Sequence, residues 1–274
     1  MDAHCHWGAV ELRRTEGVWY PDVESLDDHF WVVNGTGPGD WEEVARWAAR
    51  DSRVIPSFGL HPWKSGQGSS ALEDQLRRFL HRYPRAGVGE IGLDKWIRNA
   101  DLAQQKDVFS RQWRVALEEG RFLSLHCLQA FGHLAELLEE LPRSPRGFLL
   151  HAYGGPWEMV PRFVELGAYF SFSGWFLWER KEKAREVFRQ LPPDRLLVET
   201  DAPEMLPPAQ YRKKELSLRG PDKERSLNHP LSIQSVLQGL AEVRGWSLEE
   251  TVQRTWENAR CFLGDSLPGG GKES

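Results

Sequence analysis

One feature constrains this chain more than any other, a strand–helix alternation that runs almost its whole length. Eight short apolar runs lie at 2–6, 30–34, 54–59, 86–91, 122–126, 147–151, 168–173 and 196–199. Stretches of helical periodicity fall between them, among them 41–50, 71–82, 102–119, 132–140, 157–166 and 179–190. Such alternation predicts parallel strands joined by crossover helices. The runs are rich in Val, Ile, Leu and Phe, as strands covered on both faces require. Eight units of this kind predict an α/β fold, a (β/α)8 TIM barrel. Two further helical patterns, 231–244 and one from Ser247 to about 263, add C-terminal helices. Ser247 and Glu250 have capping-box spacing, in which each side chain satisfies the other's backbone N–H.

The barrel is expected to occupy residues 1–264 as one domain. Residues 265–274 are Gly-rich, have little to bury, and are expected to be a disordered tail. The segment 203–230 follows the eighth strand with Pro207, Pro208, Pro221 and Pro230 and the basic run Arg212-Lys213-Lys214. It is expected to be an irregular connection over the C-terminal mouth, either solvated or in contact with substrate.

Composition narrows the function. No run approaches the roughly 18 apolar residues of a membrane helix, and Met1-Asp2-Ala3-His4 does not open a signal peptide. Cys5, Cys127 and Cys261 form no paired motif and read as reduced thiols, which favours the cytoplasm. The net charge is -5, so nucleic acid cannot be held by a broad basic face and would need a local site helped by metal ions.

Residues suited to metal fall at strand ends. His4 and His6 are two apart on the first strand and share a face, so both imidazoles point into the barrel. Glu90 ends the fourth run, His126 the fifth and His151 the sixth, and Asp201 follows the eighth. Barrel active sites form at C-terminal strand ends, where these six side chains would converge. Any one of them has a plain structural explanation, but six together point to metal. Imidazoles with carboxylates suit zinc or manganese and admit magnesium. Glu90 can give one oxygen to each of two ions, and Cys5, between the histidines, points outward.

These residues lie in blocks that resemble the TatD family of metal-dependent deoxyribonucleases. The blocks are Asp2-Ala3-His4-Cys5-His6, Gly59-Leu60-His61-Pro62, Val88-Gly89-Glu90-Ile91-Gly92-Leu93-Asp94, Leu197-Val198-Glu199-Thr200-Asp201-Ala202-Pro203, Asn228-His229-Pro230 and Asn258-Ala259-Arg260. The resemblance implies that His4, His6 and Asp201 hold one divalent ion, that His126 and His151 hold a second, and that Glu90 bridges. It implies His61 near the scissile phosphate and hydrolysis of DNA phosphodiesters, often from a strand end, as in a 3′→5′ exonuclease acting on single strands or strand ends. Three places depart from the family pattern. His151 is followed by Ala152-Tyr153-Gly154-Gly155 instead of Cys-Phe and then Ser-Gly. His126 is followed by Cys127-Leu128-Gln129, without the usual nearby arginine. Asn228-His229-Pro230 replaces Asn-Glu-Pro.

A two-ion site suits phosphodiester cleavage, with Asp201 both ligating and accepting a proton from the attacking water. His61 is a candidate phosphate contact or proton donor. Of thirteen tryptophans, Trp7, Trp63, Trp96, Trp157 and Trp175 lie just past strand ends or motif blocks, where exposed rings would stack bases. Two other functions fit the same fold: an amidase, esterase, lactonase or deaminase acting on a small molecule, or a non-catalytic binding barrel.

Overall fold

The computed structural model describes residues 1–9, 12, 15–214, 216–219 and 224–268. The eight expected runs become β1 (Asp2–Cys5), β2 (Trp31–Asn34), β3 (Val54–Ser57), β4 (Val88–Asp94), β5 (Leu123–Leu128), β6 (Phe148–Leu150), β7 (Ala168–Ser173) and β8 (Leu196–Glu199). Two parallel ladders, β1-β2-β3 and β4 through β8, make up the wall. Backbone bonds close it at both seams. Gly87 N–H donates to Pro56 O at 3.0 Å and Phe58 N–H to Gly87 O at 3.1 Å. At the other seam Asp201 N–H donates to His4 O at 3.0 Å and His6 N–H to Ala202 O at 2.8 Å. Asp2 reinforces that seam, its carboxylate accepting from Thr200 N–H at 3.0 Å and Thr200 Oγ1–H at 2.5 Å.

The helices are α1 (Glu16–Glu24), α2 (Trp41–Arg50), α3 (Leu72–Arg82), α4 (Leu102–Glu118), α5 (Phe131–Glu140), α6 (Val160–Glu165), α7 (Glu182–Gln190), α8 (Ile233–Arg244) and α9 (Leu248–Leu263). Helix α1 was not apparent in the sequence. Pro21 interrupts its pattern, although Trp19, Tyr20 and Val23 are buried. The expected helices at 157–166 and 179–190 each begin with a 3-10 turn before α6 and α7. At the start of α9, Ser247 Oγ accepts from Glu250 N–H at 3.0 Å, but the Glu250 carboxylate takes the Arg254 guanidinium at 2.8 Å. Only half of the capping box therefore forms.

Two apolar clusters build the core. The larger lies between the barrel wall and the helices and uses much of the tryptophan. Trp7 stands 5.0 Å from Trp19 and 5.3 Å from both Trp31 and Trp47, ring centre to ring centre. Cys5 points into this layer, as expected, with its Sγ–H toward Val32 O. The smaller cluster joins Val32, Ile55, Phe122, Leu149, Tyr169 and Leu197 to Phe262 and Leu263 of α9. It forms the floor of the barrel interior. Asn258 fixes that helix, donating to Pro193 O and Leu196 O at 2.8 Å each.

Two residues beyond each floor residue the chain presents the same face again. There stand Asn34, Ser57, Ser124, His151, Ser171 and Glu199, all buried. Every one of these segments thus changes from apolar to polar at the same height, and the site begins at that level.

The segment 203–230 is less irregular than expected. It contains an antiparallel hairpin of β9 (Leu216–Arg219) and β10 (Glu224–Leu227). Alternating polar and apolar residues there were masked by the prolines around them. Within it, Arg212 Nε–H donates to Pro207 O at 2.8 Å, and Lys214 reaches Asp22 of α1 at 2.5 Å, so part of the basic run holds the segment down. The tail expected at 265–274 is ordered at its start, where a 3-10 turn over Gly264–Ser266 leads Leu267 into the smaller apolar cluster, and from Gly269 onward it lies outside the described residues.

His229 anchors the end of this segment. Its Nδ1 accepts from Leu231 N–H at 3.0 Å, and Nε2 stands 3.3 Å from Asp22 Oδ2. Burial outweighs the pull of Asp22 and lowers the imidazole to a pKa of about 4. The unfolded chain takes up this proton near pH 6.5, whereas the folded chain does not until about pH 4. Stability present at neutral pH is therefore lost as pH falls through that window. His229→Asn, which keeps an acceptor for Leu231, is expected to flatten this part of the curve in urea unfolding at stepped pH. Equal slopes in the two proteins would contradict the assignment.

Candidate metal centre

The site gathers around Glu90. The fourth strand runs on to Asp94, so Glu90 sits inside β4 and not at its end, with its side chain in the barrel. The neighbouring segment packs against the β4 backbone here only because it carries a glycine. A Cβ at Gly59 would lie 2.8 Å from Glu90 O and from Gly89 C, and no side chain fits there. On β4 itself a Cβ at Gly92 would stand 1.9 Å from His126 O, so β4 and β5 approach this closely only with glycine.

Five imidazoles meet the buried Glu90 carboxylate, divided between its oxygens. Oε1 faces His151 Nε2 at 2.8 Å, His126 Nδ1 at 2.9 Å and His61 Nε2 at 3.4 Å. Oε2 faces His6 Nε2 at 3.3 Å and His4 Nε2 at 3.6 Å. Asp201 joins the second group, its Oδ1 standing 3.4 Å from His6 Nε2 and 3.8 Å from His4 Nε2. The six expected ligands come together, and His61, expected near the scissile phosphate, stands among them. Three overlapping clusters suit a cation: His4, His6 and Asp201; His61, Glu90 and His126; and His4, Glu90 and His151.

The donor atoms fit divalent cations. Asp201 Oδ1 is buried and has no hydrogen-bond partner among the described residues. His4 Nε2 and His6 Nε2 converge to 3.1 Å, and two ring nitrogens brought so close suit a shared cation better than each other. Asp201 takes a left-handed backbone conformation, φ +53°, uncommon for a residue with a side chain. Asn228 braces the strand end just before it, donating to Thr200 O at 2.8 Å.

Most of these groups carry charge set by their neighbours. Burial works to raise Glu90, but His61, His151 and His126 outweigh it and hold the carboxylate well below its usual range. Asp201 is likewise lowered, with burial overcome by His6 and His151. Burial pulls His6 and His151 down, yet the surrounding carboxylates carry both well above the ordinary value. His4 goes the other way, to about 3, because burial and neighbouring His151 outweigh Glu90. Burial also lowers His61.

A second layer orients the rings. Ser124 Oγ lies 2.8 Å from His4 Nδ1, Asn34 O lies 3.0 Å from His6 Nδ1, and Asp94 Oδ2 lies 2.9 Å from His126 Nε2. His61 Nδ1 accepts from Trp63 N–H at 3.2 Å, which leaves Nε2 toward the site. Glu199 stands 3.4 Å from His151 Nδ1 and accepts from Ser171 Oγ–H. Sequence reading did not single out Ser124, Asp94, Glu199 or Asp2. The signal was present, since Asp2, Ser124 and Glu199 each precede a candidate ligand by two residues and Asp94 follows Glu90 by four, all same-face spacings on a strand.

The tryptophans divide. Trp7 is fully buried in the core, which removes it from any contact with substrate. Trp157 and Trp175 are partly buried. Trp63 and Trp96 are 56% and 64% exposed beside the site. Asp94 holds both, accepting from Trp63 Nε1–H at 2.6 Å and Trp96 N–H at 2.7 Å.

A parallel barrel with imidazoles and carboxylates gathered at its C-terminal end defines a metal-dependent hydrolase. The TatD related DNase family model matches residues 1–264, and the chain belongs to that family. It is 32% identical to the 3'-5' ssDNA/RNA exonuclease TatD of Pantoea ananatis, over 85% of this chain and 87% of that protein. It is 27% identical to the uncharacterized metal-dependent hydrolase YcfH of Escherichia coli K12, over 96% and 95%. Among solved structures it is similar to YJJV, a TatD homolog of E. coli K12, with a TM-score of 0.84 and 26% identity across 95% of this chain and 96% of that one.

Glu199 offers a test of the second layer. Glu199→Gln is expected to fold and to lose roughly 10–100-fold in divalent-ion affinity, because the His151 ring is no longer held. Calorimetric titration with manganese measures it, and affinity equal to the parent's would rule out this role.

Proposed function

We propose that this chain is a two-metal exonuclease that hydrolyses phosphodiester bonds of single-stranded DNA from the 3′ end. The observation that carries the reading is the division of Glu90, one oxygen toward His4 and His6, the other toward His61, His126 and His151. That arrangement suits a carboxylate shared by two cations. His4, His6 and Asp201 would hold one of them and His126 and His151 the other, with His61 at its edge. The exonuclease name of the Pantoea relative supports the substrate and the direction. Magnesium, manganese and zinc all suit the donor set. The three free cysteines fit a cytoplasmic location.

When bound, two divalent ions lower the pKa of a water and neutralise charge on the phosphate oxygens. The chain's own residues do the rest. Asp201 is kept ionised by its imidazole neighbours. Asp201 would ligate one ion and accept a proton from the attacking water. His61 Nδ1 accepts from Trp63 N–H, so its Nε2–H is the donor left for a phosphate oxygen. Ser124, Asn34, Asp94 and Glu199 fix the other rings in one orientation, which removes their motion from the cost of reaching the transition state.

The test uses 5′-labelled single-stranded DNA with magnesium, manganese or zinc. The parent protein is expected to give a ladder shortening from the 3′ end, with no cleavage in the absence of metal. Asp201→Asn is expected to fold and to lose about a thousandfold or more in kcat. Intact DNA with every ion would reject the nuclease reading and favour a small ester, lactone or amide. Full activity in Asp201→Asn would remove the residue from the mechanism.

A further inference from the structure

The loop after β7 carries a group of side chains that the metal centre does not use. Arg180 is exposed, and its guanidinium lies 4.7 Å from the ring centre of Trp175 and 5.1 Å from that of Trp178. The ammonium of Lys181 lies 5.5 Å from the Trp175 ring. The two indoles meet nearly edge to face at 6.3 Å. The loop is braced from both sides. Trp178 Nε1–H donates to Leu206 O at 3.0 Å, and Arg185 donates to Phe176 O and Trp178 O at 2.7 Å each.

Two contrasts bear on Arg180, the first of them shared with other arginines that pair with no carboxylate among the described residues, such as Arg98 and Arg143. Arg46, Arg77, Arg111 and Arg162 on the outer surface pair with carboxylates, and so does Arg185 beneath this loop. No carboxylate pairs with Arg180 among the described residues, and neighbouring Glu182 is taken by Arg185 and Arg189. Its place in the fold is the second contrast. Barrel sites open at the C-terminal strand ends. Strand β7 is four strands around an eight-stranded wall from β3, whose following segment bears His61 and Trp63. The unpaired guanidinium and the exposed Trp63 therefore stand on opposite sides of one mouth, with the metal cluster between them.

We propose that the β7 loop is a distal binding site for single-stranded nucleic acid, with Arg180 taking a backbone phosphate and Trp175 and Trp178 offering ring faces to bases. The proposal rests on the nuclease reading and deepens it. A chain of net charge -5 has no general attraction for a polyanion, so its grip must be local. A cation held on the faces of half-buried indoles is a combination that single strands bind without regard to sequence. The reacting end lies over the metals near Trp63, and the strand leaves across the mouth over Arg180. Short strands do not reach the loop.

The experiment compares single-stranded DNA of about 3 and about 16 nucleotides, the span over which such sites operate. In Arg180→Glu, KM for the long strand is expected to rise about tenfold with kcat unchanged, and the short strand is expected to react as in the parent. Arg180→Lys restores charge without the planar stack and should recover part of the loss. The salt dependence of long-strand binding should weaken by about 0.7 in logarithmic slope in Arg180→Ala. Arg180 is exposed, and thermal unfolding confirms that each variant is folded. Equal effects on both lengths, or none on either, would overturn the proposal while leaving the nuclease reading intact. A parent protein that neither binds nor cleaves DNA of any length would overturn both.

Discussion

A single buried carboxylate among five imidazoles sets the terms for the rest of this structure. Glu90 is 3% exposed, and each of its oxygens has histidines within 3.6 Å. A buried charge is costly unless it is matched by opposite charge and hydrogen bonds. Here the matching groups come from β1, β5, the turn after β3 and the turn after β6, so the site can exist only where those segments meet. Closure of the barrel between β8 and β1 is thus a condition of the chemistry. Asp2 and Thr200 stitch that seam within two residues of His4 and Asp201. The seam and the site are one piece of structure.

The barrel interior is organised by height. An apolar floor of Val32, Ile55, Phe122, Leu149, Tyr169 and Leu197, closed from below by α9, excludes water from the lower half. One pleat higher, polar side chains take over and orient the imidazoles. Rigid strands carry both layers, which keeps the ring nitrogens in fixed relation to one another. In the loops above, Trp63 and Trp96 are tied to the centre through Asp94. The same carboxylate touches His126, so the aromatic rim and a candidate metal ligand share one support.

Much of this was legible in the sequence. All eight strands fall within two or three residues of the expected runs, because a strand buried on both faces writes an unbroken apolar run that few other elements produce. The six candidate ligands were readable because each falls at or near the end of such a run. The losses have equally physical causes. Helix α1 was hidden by Pro21, and the β9–β10 hairpin by the prolines that flank it. His61 was placed beside the phosphate but not inside the imidazole cluster, since its position depends on how the turn after β3 folds back toward Glu90. Trp7 follows His6 as Trp63 follows Pro62, yet one is core and the other surface. Position along the chain does not fix burial at a strand end, because the side of the wall on which the loop leaves decides it. Arg180 gave no signal in sequence, as its lack of a carboxylate partner appears only in three dimensions.

A Glu90 carboxylate shared by two cations requires two ions in each chain. Native mass spectrometry of the purified chain, reconstituted with manganese or zinc and freed of excess ion, counts them directly. Two ions per chain are expected in the parent and fewer in Glu90→Ala. A parent chain that carries one ion or none at saturating metal would contradict that sharing.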